Sequence, residues 1–71
     1  MDKQLIYTAT SPDGVLYAEV IGDLIGDLVE NGTLTITDQS NGEVLVKETI
    51  EGTIEYIDNY VHSKYITLNH G

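Results

Sequence analysis

Apolar and polar residues alternate with a period of two along much of this chain, and glycine-bearing turn signals divide the alternation into strand-length segments. The signals are Ser11-Pro12-Asp13-Gly14, Asn31-Gly32, Ser40-Asn41-Gly42 and Glu51-Gly52. Between them the pattern predicts a hairpin from residues 4–10 and 15–21. A three-strand meander from residues 33–38, 43–49 and 53–58 follows, and a last strand over residues 64–68 closes the chain. Residues 23–30 break the alternation by repeating Gly-Asp-Leu at a spacing of four. Leu24, Ile25, Leu28 and Val29 then share one helical face, with Asp23 as N-cap and Gly32 as the stop, and the spacing predicts a short helix. Gly26 inside that helix costs about 1 kcal/mol relative to alanine, which leaves an irregular loop as the competing conformation.

Cross-strand chemistry selects the registers. A three-residue loop Ser40-Asn41-Gly42, with Gly42 in a left-handed conformation, sets Ile36 opposite Val46 and Thr37 opposite Leu45, whereas a two-residue turn sets Ile36 against Lys47. At the next turn a loop Ile50-Glu51-Gly52 sets Lys47 opposite Glu55 and Val46 opposite Tyr56, avoiding a Glu48–Glu55 pair. The expected core face then carries Leu34, Ile36, Val44, Val46, Ile54 and Tyr56, with Glu48 at one end and Asp38 and Asp58 at the other. Thr33, Thr35, Thr37, Leu45, Lys47, Thr49, Thr53, Glu55 and Ile57 face solvent.

Composition agrees with strands: Val, Ile and Thr supply 22 of 71 residues, and the aromatics are five tyrosines. The expected fold is mainly β, α+β at the margin: a small antiparallel sheet or partly open barrel of about six strands built from hairpins, with one short helix near residues 23–30. A chain of this length forms one domain, residues 1–71, and buries only about 60% of its unfolded surface. Without cysteine it has no disulfide and no thiolate metal site. No segment has the charge and apolar run of a signal peptide or the roughly 18 apolar residues of a membrane span, so the cytoplasm is the expected location. Asn31-Gly32-Thr33 fits a glycosylation acceptor but reads as a turn entering a strand.

Charge sharpens the functional reading. Twelve acids face three lysines and no arginine, a formal net charge of -9, and nine of the acids lie between Asp23 and Asp58 with Lys47 alone among them. Direct nucleic-acid binding needs the basic side chains this chain lacks, and an anionic membrane is disfavoured on the same ground. The field favours a basic protein partner or a divalent cation.

Candidate chemistry is sparse. Asp23 and Asp27 would share a helical face with Glu30 close by, but nothing there wraps an ion with the six or so oxygens calcium requires. The segment from Asp38 to Glu43 resembles a calcium loop until it is counted: Gly42 falls at position five instead of six, and Thr49 stands where a bidentate Glu belongs. Glu48 sits on the apolar face between Leu34 and Ile54, the kind of setting in which carboxylates become acid-base groups, yet no second catalytic group stands beside it. His62 and His70 with Asp58 are the sole candidate ligand set containing imidazoles, and Ser63, next to His62, points to the opposite face of a strand. Gly22 and Gly26 have the small-residue spacing of paired membrane helices, but Asp23 and Asp27 interrupt the segment. Phosphate-binding glycine loops are absent.

No catalytic, cofactor or metal residues are therefore assigned. The expected function is a small, acidic, non-enzymatic module that binds a basic protein surface through Asp23, Asp27, Glu30, Glu43, Glu48, Glu51 and Glu55. In charge and size the chain resembles the small acidic inhibitors that phages and mobile elements use as nucleic-acid mimics, a resemblance that extends to no motif. The alternatives are a structural or assembly protein acting as a homo-oligomer, most simply a homodimer, suggested by the small core and a Leu45/Ile57 patch, and a divalent-cation-binding domain.

Overall fold

A computed structural model describes residues 3–69, the side chain of Asn69 excepted. Asp2 and His70, which entered the charge and ligand arguments above, lie outside the described residues. Four strands, β1 (Gln4–Thr10), β2 (Leu16–Ile25), β3 (Leu28–Asp38) and β4 (Glu43–Thr53), are followed by one helix, α1 (Ile54–Asn69). The strands form an open antiparallel sheet in the order β1-β2-β3-β4, every neighbour in space being a neighbour in sequence. The protein is mainly β, with four strands among the described residues where six were expected.

The expected helix at residues 23–30 is a hairpin. Its apolar residues satisfy the two-residue turn Gly26-Asp27 as well as they satisfy a helical face: Ile25 pairs with Leu28 and Leu24 with Val29. Gly26 has φ +65°, the conformation a tight hairpin asks of glycine at its first turn position and one that helix interiors do not use. The hairpin also lets β2 and β3 keep pairing, which brings Val29 to full burial. Asn31-Gly32, expected to end the helix, instead forms an irregularity within β3, with Asn31 at φ 55°.

The two strands expected at residues 53–58 and 64–68 are a single helix. Ile54, Ile57, Val61, Tyr65 and Leu68 recur every three or four residues and all pack on the core, a period that outweighs the strand preference of their branched and aromatic side chains. Thr53 caps the helix, its Oγ1 accepting the Tyr56 N–H at 3.1 Å, and Glu55 places an acid in the first turn. The expected Glu51-Gly52 hairpin and the pairs Lys47–Glu55 and Val46–Tyr56 are therefore absent. Tyr56 is 53% exposed and Ile57 fully buried, the reverse of the expected faces, and the Leu45/Ile57 patch does not exist.

The β3–β4 register holds as read from the sequence over its centre, where Ile36 pairs with Val46, Thr35 with Lys47 and Leu34 with Glu48. It shifts by one near the turn: Thr37 pairs with Val44 instead of Leu45, and the loop has four residues, 39–42. Asp38 explains the longer loop. Its carboxylate accepts the Ser40 N–H at 2.9 Å and the Ser40 hydroxyl at 2.6 Å, while its carbonyl accepts the Gly42 N–H at 2.7 Å. Gly42 takes the expected left-handed conformation, φ 76°.

The core lies on one side of the sheet. Leu16, Ala18 and Val20 from β2, Val29, Leu34 and Ile36 from β3 and Ile50 from β4 meet Ile57, Val61 and Tyr65 of α1. On the other face Thr33, Thr35 and Thr37 alternate with the core residues, and Thr35 stands between Glu19 and Lys47 in one cross-strand row. That face is the threonine-rich one expected to meet solvent. Among the described residues no helix is long and apolar enough to cross a membrane.

Candidate functional site

The acidic residues singled out from the sequence separate into three places. Asp23 and Glu30 face each other across β2 and β3 next to the Gly26-Asp27 turn. Asp27 joins them: its backbone carbonyl accepts the Ile54 N–H at 3.0 Å, which brings the turn against the start of α1 and so beside Glu55. Asn31 ties in the fifth acid. Its N–H donates to Glu51 at 3.2 Å, its side-chain amide donates to Asp23 at 3.2 Å, and its carbonyl accepts the Lys3 ammonium at 2.9 Å. Asp23, Asp27, Glu30, Glu51 and Glu55 thus gather at one end of the molecule, from three strands, a turn and a helix start. An open concavity lined by Asn31, Gly32, Thr49, Ile50 and Glu51 lies beside them.

Glu43 is at the opposite end, paired with Asp38 and adjoining the β3–β4 loop. Glu48 is in the middle, half-buried and engaged by α1. The Tyr60 hydroxyl donates to one of its carboxylate oxygens, and Lys64 Nζ lies 3.8 Å from the other. Lys64 also stands 5.4 Å from the centre of the Tyr60 ring, and Tyr56 stacks on Tyr60 with ring centres 6.2 Å apart. The Glu48 hydrogen bond raises the Tyr60 phenol above its ordinary value, keeping it a neutral donor. The set fastens the helix to β4. Leu34 is its neighbour as expected, but Ile54 belongs to the helix and not to a facing strand.

A second fastening joins α1 to β1. The Tyr7 hydroxyl donates to Asp58 Oδ1 at 2.5 Å, and burial together with the Asp58 carboxylate pushes the Tyr7 phenol well above the ordinary range. His62 Nδ1 is 2.7 Å from the Asp58 carbonyl, an oxygen that can only accept, so Nδ1 carries the proton. Higher up the helix Tyr65 donates to the Ala9 carbonyl at 2.9 Å. Among the described residues no group of three or more His, Asp or Glu side chains is placed to hold a metal ion. Asp23 and Asp27 do not share a helical face, because there is no helix between them.

Tyr7, Tyr60 and Lys64 organise these carboxylates and were not singled out in the sequence, and Asn31, read there as a turn residue, is the one that joins Asp23 to Glu51. Tyr56, Tyr60 and Lys64 carry a signal in their spacing of four, but that spacing has meaning only once the segment is known to be helical. Comparison with protein-family models, with curated proteins and with solved structures found no match.

Proposed function

We infer that this protein is a small, non-enzymatic cytoplasmic binding module whose acidic end docks on a basic surface of a partner protein, such as one that otherwise holds nucleic-acid phosphates. One observation carries the reading: Asp23, Asp27, Glu30, Glu51 and Glu55 converge at one end of the fold from distant sequence positions, with Lys3 the one described cation hydrogen-bonded there. Mutual repulsion makes such a cluster costly in the free protein, and a cationic partner relieves it. The concavity beside Glu51 has room for a lysine or arginine side chain. Glu43, at the far end, and Glu48, held by Tyr60 and Lys64, fall outside the contact surface.

The experiment is capture of a partner from lysate at low and high salt, with an Asp27→Lys, Glu30→Lys, Glu51→Lys triple variant alongside. A partner retained at low salt, released at high salt and missed by the variant supports the reading. Equal recovery at both salt concentrations, or by the variant, overturns it.

A further inference from the structure

The open sheet leaves two outer edges among the described residues, and they differ in chemistry. Along β4 the edge carries Glu43, Lys47, Glu48 and Glu51, with a register shift at Leu45. Charged side chains and bulges are the usual means by which edge strands avoid pairing with other chains. β1 reads Gln-Leu-Ile-Tyr-Thr-Ala-Thr and has no charged residue at all. It is the one element without a carboxylate: β2 has Glu19 and Asp23, β3 Glu30 and Asp38, β4 three glutamates, and α1 Glu55 and Asp58. Its one irregularity, at Ile6, leaves Tyr7–Ala9 in regular register with β2. Leu5 is 55% exposed and stands next to Ile21, also exposed, so apolar surface continues from the edge onto the open face.

We propose that β1 is a docking edge for a second copy of this chain, the two β1 strands pairing antiparallel about a two-fold axis near Tyr7 and Thr8 to make one eight-stranded sheet. The occupant follows from charge. Two chains of -9 repel wherever their acids meet, and β1 is the one strand along which identical chains can pair without opposing like charges. Isologous pairing also closes on itself, because each β1 edge is used up and the β4 edges remain guarded. A basic partner would gain nothing at this uncharged edge, so the proposal is separate from the acidic end and does not depend on it.

The two contacts have opposite salt dependence. Screening relieves the long-range repulsion between like chains and strengthens self-association through β1, whereas it weakens capture of a basic partner. The test is mass by light scattering across the micromolar range at two salt concentrations. The wild-type chain and two variants, Thr8→Lys and Leu45→Lys, are compared, and circular dichroism reports the fold of each. Thr8 is exposed and pairs with Glu19, so a lysine there meets an acid within its own sheet but a second lysine across the axis. The expected result is a particle of twice 7.8 kDa, favoured by salt, weakened about ten-fold or more by Thr8→Lys and unchanged by Leu45→Lys. A wild-type monomer throughout, a dimer indifferent to Thr8→Lys, or a dimer lost in Leu45→Lys overturns it.

Discussion

Gly22 and Gly32 stand back to back where β2 and β3 pass through their irregularities: a Cβ built on Gly22 would lie 2.7 Å from the Gly32 Cα and 3.0 Å from the Glu30 carbonyl oxygen. Both neighbours are backbone and cannot swing aside. Gly22→Ala is therefore expected to destabilise the fold by about 1–3 kcal/mol, read as a lower urea midpoint. Because the base of the acidic end would be prised apart, the Asn31 contacts to Asp23 and Glu51 should loosen with it, visible as faster amide exchange at Asn31.

Gly26→Ala distinguishes the hairpin from a helix by its sign. In a helix the exchange would stabilise by about 1 kcal/mol. At φ +65°, with open space around the missing Cβ, the penalty is conformational alone, and a loss of about 1–2 kcal/mol is expected in a thermal melt.

Thr53→Ala removes the acceptor for the Tyr56 N–H at the junction of β4 and α1. The expected cost is about 1 kcal/mol, with Thr53→Ser close to wild type, measured by chemical denaturation.

Tyr7 makes stability fall at alkaline pH. Burial comes first and the Asp58 hydrogen bond second in raising its phenol above the ordinary value of 10.0, and burial likewise raises Tyr65. The neutral phenols are favoured by the folded state, so this contribution is complete below pH 10.0 and drains away as pH climbs toward the folded values. A phenolate absorbance titration should show these two tyrosines ionising late, together with unfolding. Tyr7→Phe leaves Asp58 Oδ1 without its donor and should cost about 1–3 kcal/mol at neutral pH.

Asp13 and Asp38 behave in the opposite sense. Hydroxyls of Ser11 and Ser40 and backbone N–H groups hold both carboxyls below the usual value of 3.8. Their support for the two loops is present above that value and is lost as pH falls through the lower folded values. Carbon-detected NMR titration should find them protonating below 3.8, and Ser40→Ala should return Asp38 toward it.

The sheet was legible where one face is buried and the other wet. Leu34 and Ile36 against Thr33, Thr35 and Thr37 gave the right faces, and Ile36 opposite Val46 the right register. The one-residue slip beside the β3–β4 turn came from the Asp38 contacts, whereas the two segments given the wrong element type are those where one residue set satisfies two periods. Leu24, Ile25, Leu28 and Val29 fit a helical face and a tight hairpin alike, and what decides is the continuation of pairing with distant strands. Ile54 and Ile57 look like strand until their partners Val61, Tyr65 and Leu68 are read in the same helical row. The acids of the candidate site were all visible as residues. Their gathering was not, because it depends on Asn31, whose left-handed backbone lets one residue reach both Asp23 and Glu51.

That α1 follows β4 without a connecting loop has a consequence for how the molecule comes into being. Each strand zips onto the one before it by local contacts, so the sheet can assemble progressively, yet its apolar side stays bare until the final segment swings over from Thr53. Residues 3–53 alone would present Leu16, Val20, Leu34 and Ile36 to water, a sticky half-domain. The helix is thus the lid that the sheet carries on its own last strand: Ile57, Val61 and Tyr65 close over the side that holds Ala18 and Ile36, and the tyrosine contacts to β1 and β4 hold it there.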